Sequence, residues 1–235
     1  MKEFQKTLTC QECAIKFNSI FKHLSKEELD QLYYDKICEF HKRGEILYFE
    51  GKRITGFYCI NEGIIKIYKT GIDGKEQIIR FAKPGEIIAY RSILSNELAC
   101  TTAKIIEDAI VCYIPSAILI NLVKTNDNFS MEIMRLTCKE LGEANTYITD
   151  IAQKTVRERL AEIILHLKEN FGVDKEDNLQ ISLTREELAN IVGTATESVI
   201  RLLSEFKKDA LIELNGRKIK ILDIQGLTKI SNVFN

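Results

Sequence analysis

The chain has 235 residues, 45% of them hydrophobic, enough to bury a core in one large domain or two modest ones. Its 33 Lys and Arg stand against 34 Asp and Glu, a formal net charge of -1, so any contact with nucleic acid must come from a local arrangement of cations and helix ends. No run of about 18 apolar residues occurs, and MKEFQKTLTC has no apolar stretch after its charged start; this argues against a membrane-spanning helix and a secretory leader and makes the cytoplasm the expected compartment. Seven cysteines, an odd number in an unexported chain, argue for reduced thiols over a disulfide framework.

From about Gly44 to Ile114 the pattern is one of short strands separated by glycine turns, clearest in EGIIKIYK, where Ile65 and Ile67 alternate with Lys66 and Tyr68. Asp73-Gly74 predicts a two-residue hairpin with positive φ at both central positions, and QIIRF supplies the returning strand. A compact antiparallel barrel or roll is expected. Between about Asn126 and Gln153 the period changes: Met134, Thr137, Leu141, Ala144, Ile148 and Ile151 recur at spacings of three and four. This is a coiled-coil seam for a parallel helix pair, with an ordinary helix packed on its own domain as the alternative. A domain boundary is expected near Ile151 to Val156, giving segments 1–125, 126–153 and 154–235.

TVRERLAEIILHLKENFG reads as an amphipathic helix with Leu160, Ile163, Ile164 and Leu167 on one face, ending near Gly172. The polar VDKEDN is loop-like, and QISLT is expected to be a short strand. Thr184 with Glu187 forms a capping box for a helix starting at Arg185, and Gly193 supplies the left-handed stop. A second helix then runs from Thr196 to Lys208 and buries Val199 and Leu202, followed by a hairpin around Asn215-Gly216. Short helix, glycine turn and second helix make the bihelical DNA-reading unit, centred on Leu183 to Lys208.

With those faces buried, Thr196, Glu197, Ile200 and Arg201 point outward from the half of the second helix that enters a major groove. Arg201 can donate to O6 and N7 of a guanine, and Glu197 can accept from N4 of a cytosine. The plainer alternative is an i, i+4 salt bridge between them, worth a few tenths of a kcal/mol. Thr194 and Ser198 are candidates for phosphate contacts, as are Arg185 and Lys218. Lys218 lies in LNGRKIKIL, a hairpin that reads either as a wing beside the DNA or as a cover for the core.

The order of these parts resembles the Crp-Fnr family of bacterial regulators. KRGEILYFEG, GFYCINEGIIKIYK and DGKEQIIRFAKPGEII are similar to successive strands of that family's roll, and ESVIRLLSEFKKDALI to its recognition helix and exit. The resemblance covers nearly the whole chain. It implies an α+β architecture: an N-terminal cyclic-nucleotide-binding-type antiparallel β-roll, a long dimerisation helix and a C-terminal winged helix-turn-helix. It also implies a homodimer that reads a near-palindromic site on double-stranded DNA and works with RNA polymerase. Glu197 and Arg201 match the family's base-reading acid and arginine, which implies a TGA-like core. Thr196 replaces the arginine of the cyclic-AMP receptor branch, and Ile200 could meet a thymine methyl group.

The ligand side departs from that branch. Ala89, Tyr90 and Arg91 stand where its ribose-binding glutamate should follow PGEII, and Thr101, Thr102 and Ala103 where Arg-Ser-Ala should bind phosphate. A phosphate buried there would lack its arginine partner, which argues against cyclic AMP, although Arg91 leaves another anion open. CQEC and the following SIFKHLSKEELDQL resemble the oxygen-sensing branch that holds an iron-sulfur cluster on four thiolates. That implies Cys10, Cys13 and Cys112 as ligands, with Ser19 in place of a fourth cysteine and Cys38, Cys100 or His23 as substitutes that no spacing singles out. Zinc, a thiol or disulfide redox switch at Cys10 and Cys13, or purely structural cysteines are the competing readings. Cys59 and Cys138 lie among apolar neighbours and are expected to be buried packing thiols.

The function this assembles is a DNA-binding transcription regulator answering a redox, oxygen or small-molecule signal. A sensor module whose C-terminal domain docks protein is the main rival, with a small iron-sulfur or thiol redox protein behind it. No catalytic triad, phosphate loop or HExxH motif is present, so no enzyme is expected.

Overall fold

GFYCINEGIIKIYKT, rich in β-branched and aromatic residues, forms β3 (Gly56–Thr70), the axis of a six-stranded antiparallel sheet. The computed structural model describes residues 9–231, so the leaderless reading of residues 1–8 lies outside the described residues. One flank of β3 pairs with β6 (Thr102–Pro115), the other with β4 (Glu76–Ala82) and β5 (Ile87–Ile88). The outer side of β6 carries β1 (Ile37–His41) and β2 (Ile46–Tyr48). The roll is thus built on two long strands instead of the short ones expected, and bulges let them curl. The β3–β6 register slips between Ile60 and Glu62, between Glu62 and Ile64, and again between Ile64 and Ile65.

Gly63 sits in the middle of these slips with φ +84, and a Cβ there would meet the Asp108 carbonyl at 2.5 Å. The β3–β4 connection also differs from the predicted tight hairpin. The last pair is Thr70 with Glu76, and the Gly71 N–H donates to the Lys75 carbonyl at 2.8 Å, so five residues form the loop. Closing one step further out lets Asp73 avoid positive φ, which Gly74 alone takes up in this loop.

Inside the roll, Ile60, Ile65, Ile67, Ile88, Ile105 and Val111 form one buried cluster. A second cluster joins the sheet to helices. It draws on α1 (Cys10–Lys16), a 3-10 turn at Ile20–His23, α2 (Lys26–Asp35), α4 (Ser116–Thr125) and the first turns of α5 (Asp127–Gln153). Phe21 stacks on Phe129 with ring centroids 5.9 Å apart, and both are buried. The short α3 (Tyr90–Leu94) follows β5.

The chain divides into two compact units, 1–141 and 142–235, the division falling within α5. In the second unit Thr155 and Glu158 form a capping box for α6 (Val156–Phe171), whose Leu160, Ala161, Ile164 and Leu167 are buried. The helices α7 (Arg185–Val192) and α8 (Thr196–Lys208) follow, then the hairpin β7 (Ile212–Asn215) and β8 (Lys218–Ile221), and then α9 (Ile224–Ser231), which packs on α6. The expected QISLT strand is not a regular strand. Its neighbour Leu179 donates its N–H to the Ile219 carbonyl at 2.8 Å, after which Ile181 and Leu183 turn their side chains into the core and no ladder continues.

Gly63→Ala is expected to destabilise the sheet by about 1–3 kcal/mol, because it meets both positive φ and a backbone collision. Urea unfolding of the full chain measures this, and an unchanged midpoint contradicts it.

Candidate nucleic-acid interface

The start of α7 is fixed locally. The Thr184 hydroxyl accepts from the Glu187 N–H at 3.0 Å, and the Glu187 carboxylate accepts from the Thr184 N–H at 2.8 Å. Gly193, with φ +74 and ψ 51, ends the helix, and its N–H donates to the Ala189 carbonyl. Helix α8 then buries Val199, Leu202, Leu203 and Phe206 against the rest of the unit. Glu197, Ile200 and Arg201 are exposed on the opposite side, and Thr196 and Ser198 are half-buried at the start of the helix. Ala195 provides no side-chain cap to α8.

The turn between the helices is held by a residue that sequence reasoning missed. Arg159, buried on α6, donates from Nε to the Val192 carbonyl at 3.0 Å, from Nη1 to Lys154 at 2.7 Å and from Nη2 to Gly193 at 3.4 Å. Two of these carbonyls lie at the C-terminal end of α7, where the helix dipole is negative. A cation in RERL reads as a solvent-facing residue, and only its apolar neighbours on the same helix hinted otherwise.

Arg201 pairs with Glu205, Nη1 to Oε1 at 2.9 Å, and not with Glu197. Glu205 is held in turn by Arg157 of α6 at 2.9 Å, while Arg157 also reaches Asp209 at 2.9 Å and lies over the Phe206 ring. Glu197 is thereby left outside this chain of ion pairs. Arg185 donates from Nη2 to the Gly216 carbonyl at 2.9 Å and so ties α7 to the turn of the hairpin. The Thr194 N–H donates to the Ala189 carbonyl, continuing the helix stop. Lys218 is exposed and lies 3.6 Å from Asp174 and 3.9 Å from Glu176, in the polar loop before α7.

In the first unit, a small cleft lies between the roll and α5 at the position of the substituted ligand motifs. Its charged groups already answer one another. Arg80 contacts Glu86 at 2.7 Å and Glu140 of α5 at 3.3 Å, and Arg91 contacts the other oxygen of Glu140 at 3.4 Å. Burial, then the Glu140 carboxylate, push the Tyr90 phenol up to about 12. Thr101 and Thr102 are buried at the start of β6, and Ala89 takes positive φ before α3. The large exposed apolar residues of α5 in a single chain are Met131, Met134, Leu141, Ile148 and Ile151.

Of the donors the resemblance implies for an iron-sulfur cluster, two sit side by side and the third is engaged in a disulfide. Cys10 and Cys13 are adjacent on α1, and burial pushes both thiols up against the lowering charge of Lys36. Asn61 donates to the Cys13 sulfur at 3.0 Å. Cys112, however, is bonded to Cys38, and the Ser19 hydroxyl is buried and accepts from the Phe21 N–H as the cap of the 3-10 turn. Among the described residues no group of three or more His, Cys, Asp and Glu is arranged to hold a metal. The expectation of reduced thiols throughout is corrected by the same disulfide, since β-register brings together residues 74 positions apart. Cys138 is exposed on α5 instead of buried, while Cys59 is half-buried.

Arg159→Met keeps the stem but leaves three carbonyls without their donor, and is expected to destabilise the second unit by about 2–4 kcal/mol. Urea unfolding followed by circular dichroism tests this; a loss under about 0.5 kcal/mol contradicts the clamp.

The chain matches two family models, the cyclic nucleotide-binding domain over residues 38–126 and the Crp-like helix-turn-helix domain over residues 158–230. It is 30% identical to the anaerobic regulatory protein of Haemophilus influenzae, over 94% of this chain and 87% of that protein. It is likewise 30% identical to the fumarate and nitrate reduction regulatory protein of Escherichia coli, over 94% and 90%. The structure of FixK2 from Bradyrhizobium japonicum shares the fold, with a TM-score of 0.76 and 21% identity over 85% of this chain and 99% of that one. Two-helix unit, hairpin, roll and long helix all agree with these matches, and the chain belongs to the Crp/Fnr family of DNA-binding transcription regulators.

Proposed function

We propose that the protein works as a cytoplasmic homodimer that reads a near-palindromic site with a TGA-like core and acts on RNA polymerase. The observation that carries this is α8 itself, which buries one face completely and presents Glu197, Ile200 and Arg201 on the other. Arg201 would leave Glu205 for a guanine, and Glu197, outside the ion-pair chain, is available to a cytosine amino group. Thr196 lies beside them. Thr194 and Ser198, at the uncapped start of α8, together with Arg185 and Lys218 at the hairpin, are assigned to phosphates. The exposed apolar stripe from Met131 to Ile151 fits pairing with the same helix of a second copy.

The signal proposed is redox, oxygen or a small molecule other than cyclic AMP. Relatives named for anaerobic, fumarate and nitrate regulation support the first two. The self-neutralised cleft supports the exclusion, because an entering phosphate would have to displace Glu86 or Glu140 from Arg80.

Arg201→Ala is expected to weaken binding to a duplex carrying inverted TGA-like half-sites by about 1–3 kcal/mol and to relax preference at one base pair per half-site. Fluorescence anisotropy at fixed salt measures this; equal affinity of parent and variant for every duplex contradicts it. Saturating cyclic AMP is expected to leave the Tm unchanged, and a ligand-dependent rise contradicts the exclusion.

A further inference from the structure

Three cysteines face one another across adjacent strands. The β1–β6 register sets Cys38 opposite Cys112, and the β3–β6 register sets Cys59 opposite Cys112. Directly opposed residues on antiparallel strands project to the same side of the sheet. This is the side that α1, the 3-10 turn and α2 cover, where Cys10 and Cys59 both pack against the shared cluster. Of the three, Cys38 and Cys112 are joined and Cys59 remains a thiol.

The bond sits at a mechanical junction. β6 is the sheet neighbour of β1, and Lys36 alone separates β1 from α2. That helix in turn holds the start of α5. Asn126 donates to both oxygens of the Glu28 carboxylate at 3.1 and 3.0 Å, and Leu29 and Leu32 share the buried cluster with Phe129 and Ile133. The disulfide adds a covalent tie to the β1–β6 ladder, and through it to the segment on which the first turns of α5 rest.

We propose that Cys38–Cys112 is a reversible dithiol–disulfide site through which the redox state of a thiol donor sets how firmly α2 and the start of α5 are held to the sheet. Cys38 is the more accessible of the two, and Cys112 is buried. A dithiol reductant attacks the Cys38 sulfur as a thiolate, forming a mixed disulfide and expelling Cys112 as a thiolate, which takes up a proton. The second thiol of the reductant, deprotonated, then displaces Cys38, which is protonated in turn. Two electrons have passed to the protein and the reductant leaves as its own disulfide; a low-molecular-weight disulfide drives the reverse reaction. Cys59 lies across from Cys112 but is pushed well up by burial, which keeps it a thiol while Cys38 exchanges.

This inference deepens the redox part of the proposed function and rests on it for its consequence. The test uses the full chain, incubated under anaerobic conditions with dithiothreitol or with oxidised glutathione, then alkylated, digested and analysed by mass spectrometry. A Cys38–Cys112 linked peptide is expected after oxidation, with its loss and two alkylated peptides after reduction. Hydrogen exchange across residues 26–41 is expected to lose protection on reduction, and Cys38→Ser to abolish that difference. Alkylation of both cysteines in both samples, linkage of Cys112 to another cysteine, or identical exchange in the two states overturns the proposal. DNA binding measured on the same samples keeps the two readings apart. Specific binding without a cycling linkage removes the site and leaves the regulator, whereas a cycling linkage with no duplex selected removes the regulator and leaves the site.

Discussion

The guanidinium of Arg159 reaches the carbonyls of Lys154, Val192 and Gly193, and through them it braces the turn between the two helices of the helix-turn-helix. Burying a cation without a carboxylate beside it is unfavourable unless its donors are satisfied and the surrounding field is negative. The end of α7 supplies both conditions, since its last carbonyls lack intrahelical partners and carry the negative end of the dipole. One side chain from α6 thus adds to the two backbone bonds by which Gly193 and Thr194 close the turn on Ala189. These contacts set the orientation of α8 to α7, and α8 carries Glu197 and Arg201 on its exposed side.

The same economy of charge governs the first unit. Glu140 closes the cleft from α5 by meeting Arg80 and Arg91, so the cations of the roll are neutralised from within the chain. A cleft built in this way holds α5 against the sheet without a ligand. Nearer its N-terminal end, the aromatic pair Phe21 and Phe129 and the Glu28–Asn126 contact hold the first turns of α5. Both attachments are routes by which a change in the first unit can reach α5, and the cross-strand cysteines lie beside the second.

Much of this was legible from local pattern. The capping box at Thr184, the glycine stop at Gly193 and the buried face of α8 each depend on residues within four positions of one another, so a linear reading finds them. The roll, the long helix and the hairpin followed from periodicity for the same reason. What escaped depends on distance in space. Arg159 looks like any surface cation until the tertiary fold brings Val192 to it. Arg201 has a carboxylate four residues away on either side, and it is Arg157 on another helix that orients Glu205 as the partner. Cys38 and Cys112 become neighbours only through the β1–β6 register, and Asp73-Gly74 was misjudged because the loop closes at Gly71 and Lys75.

The function proposed for the second unit is to read DNA sequence through α8 as one half of a symmetric pair. Selection of bound duplexes from a random library by the full chain, in reduced and oxidised samples, tests it most directly. The account predicts enrichment of an inverted repeat whose half-site centres lie about 10–10.5 base pairs, one helical turn, apart, with G·C pairs at the positions facing Arg201 and Glu197. Enrichment of no motif, or of a single asymmetric one indifferent to Arg201→Ala, would contradict it.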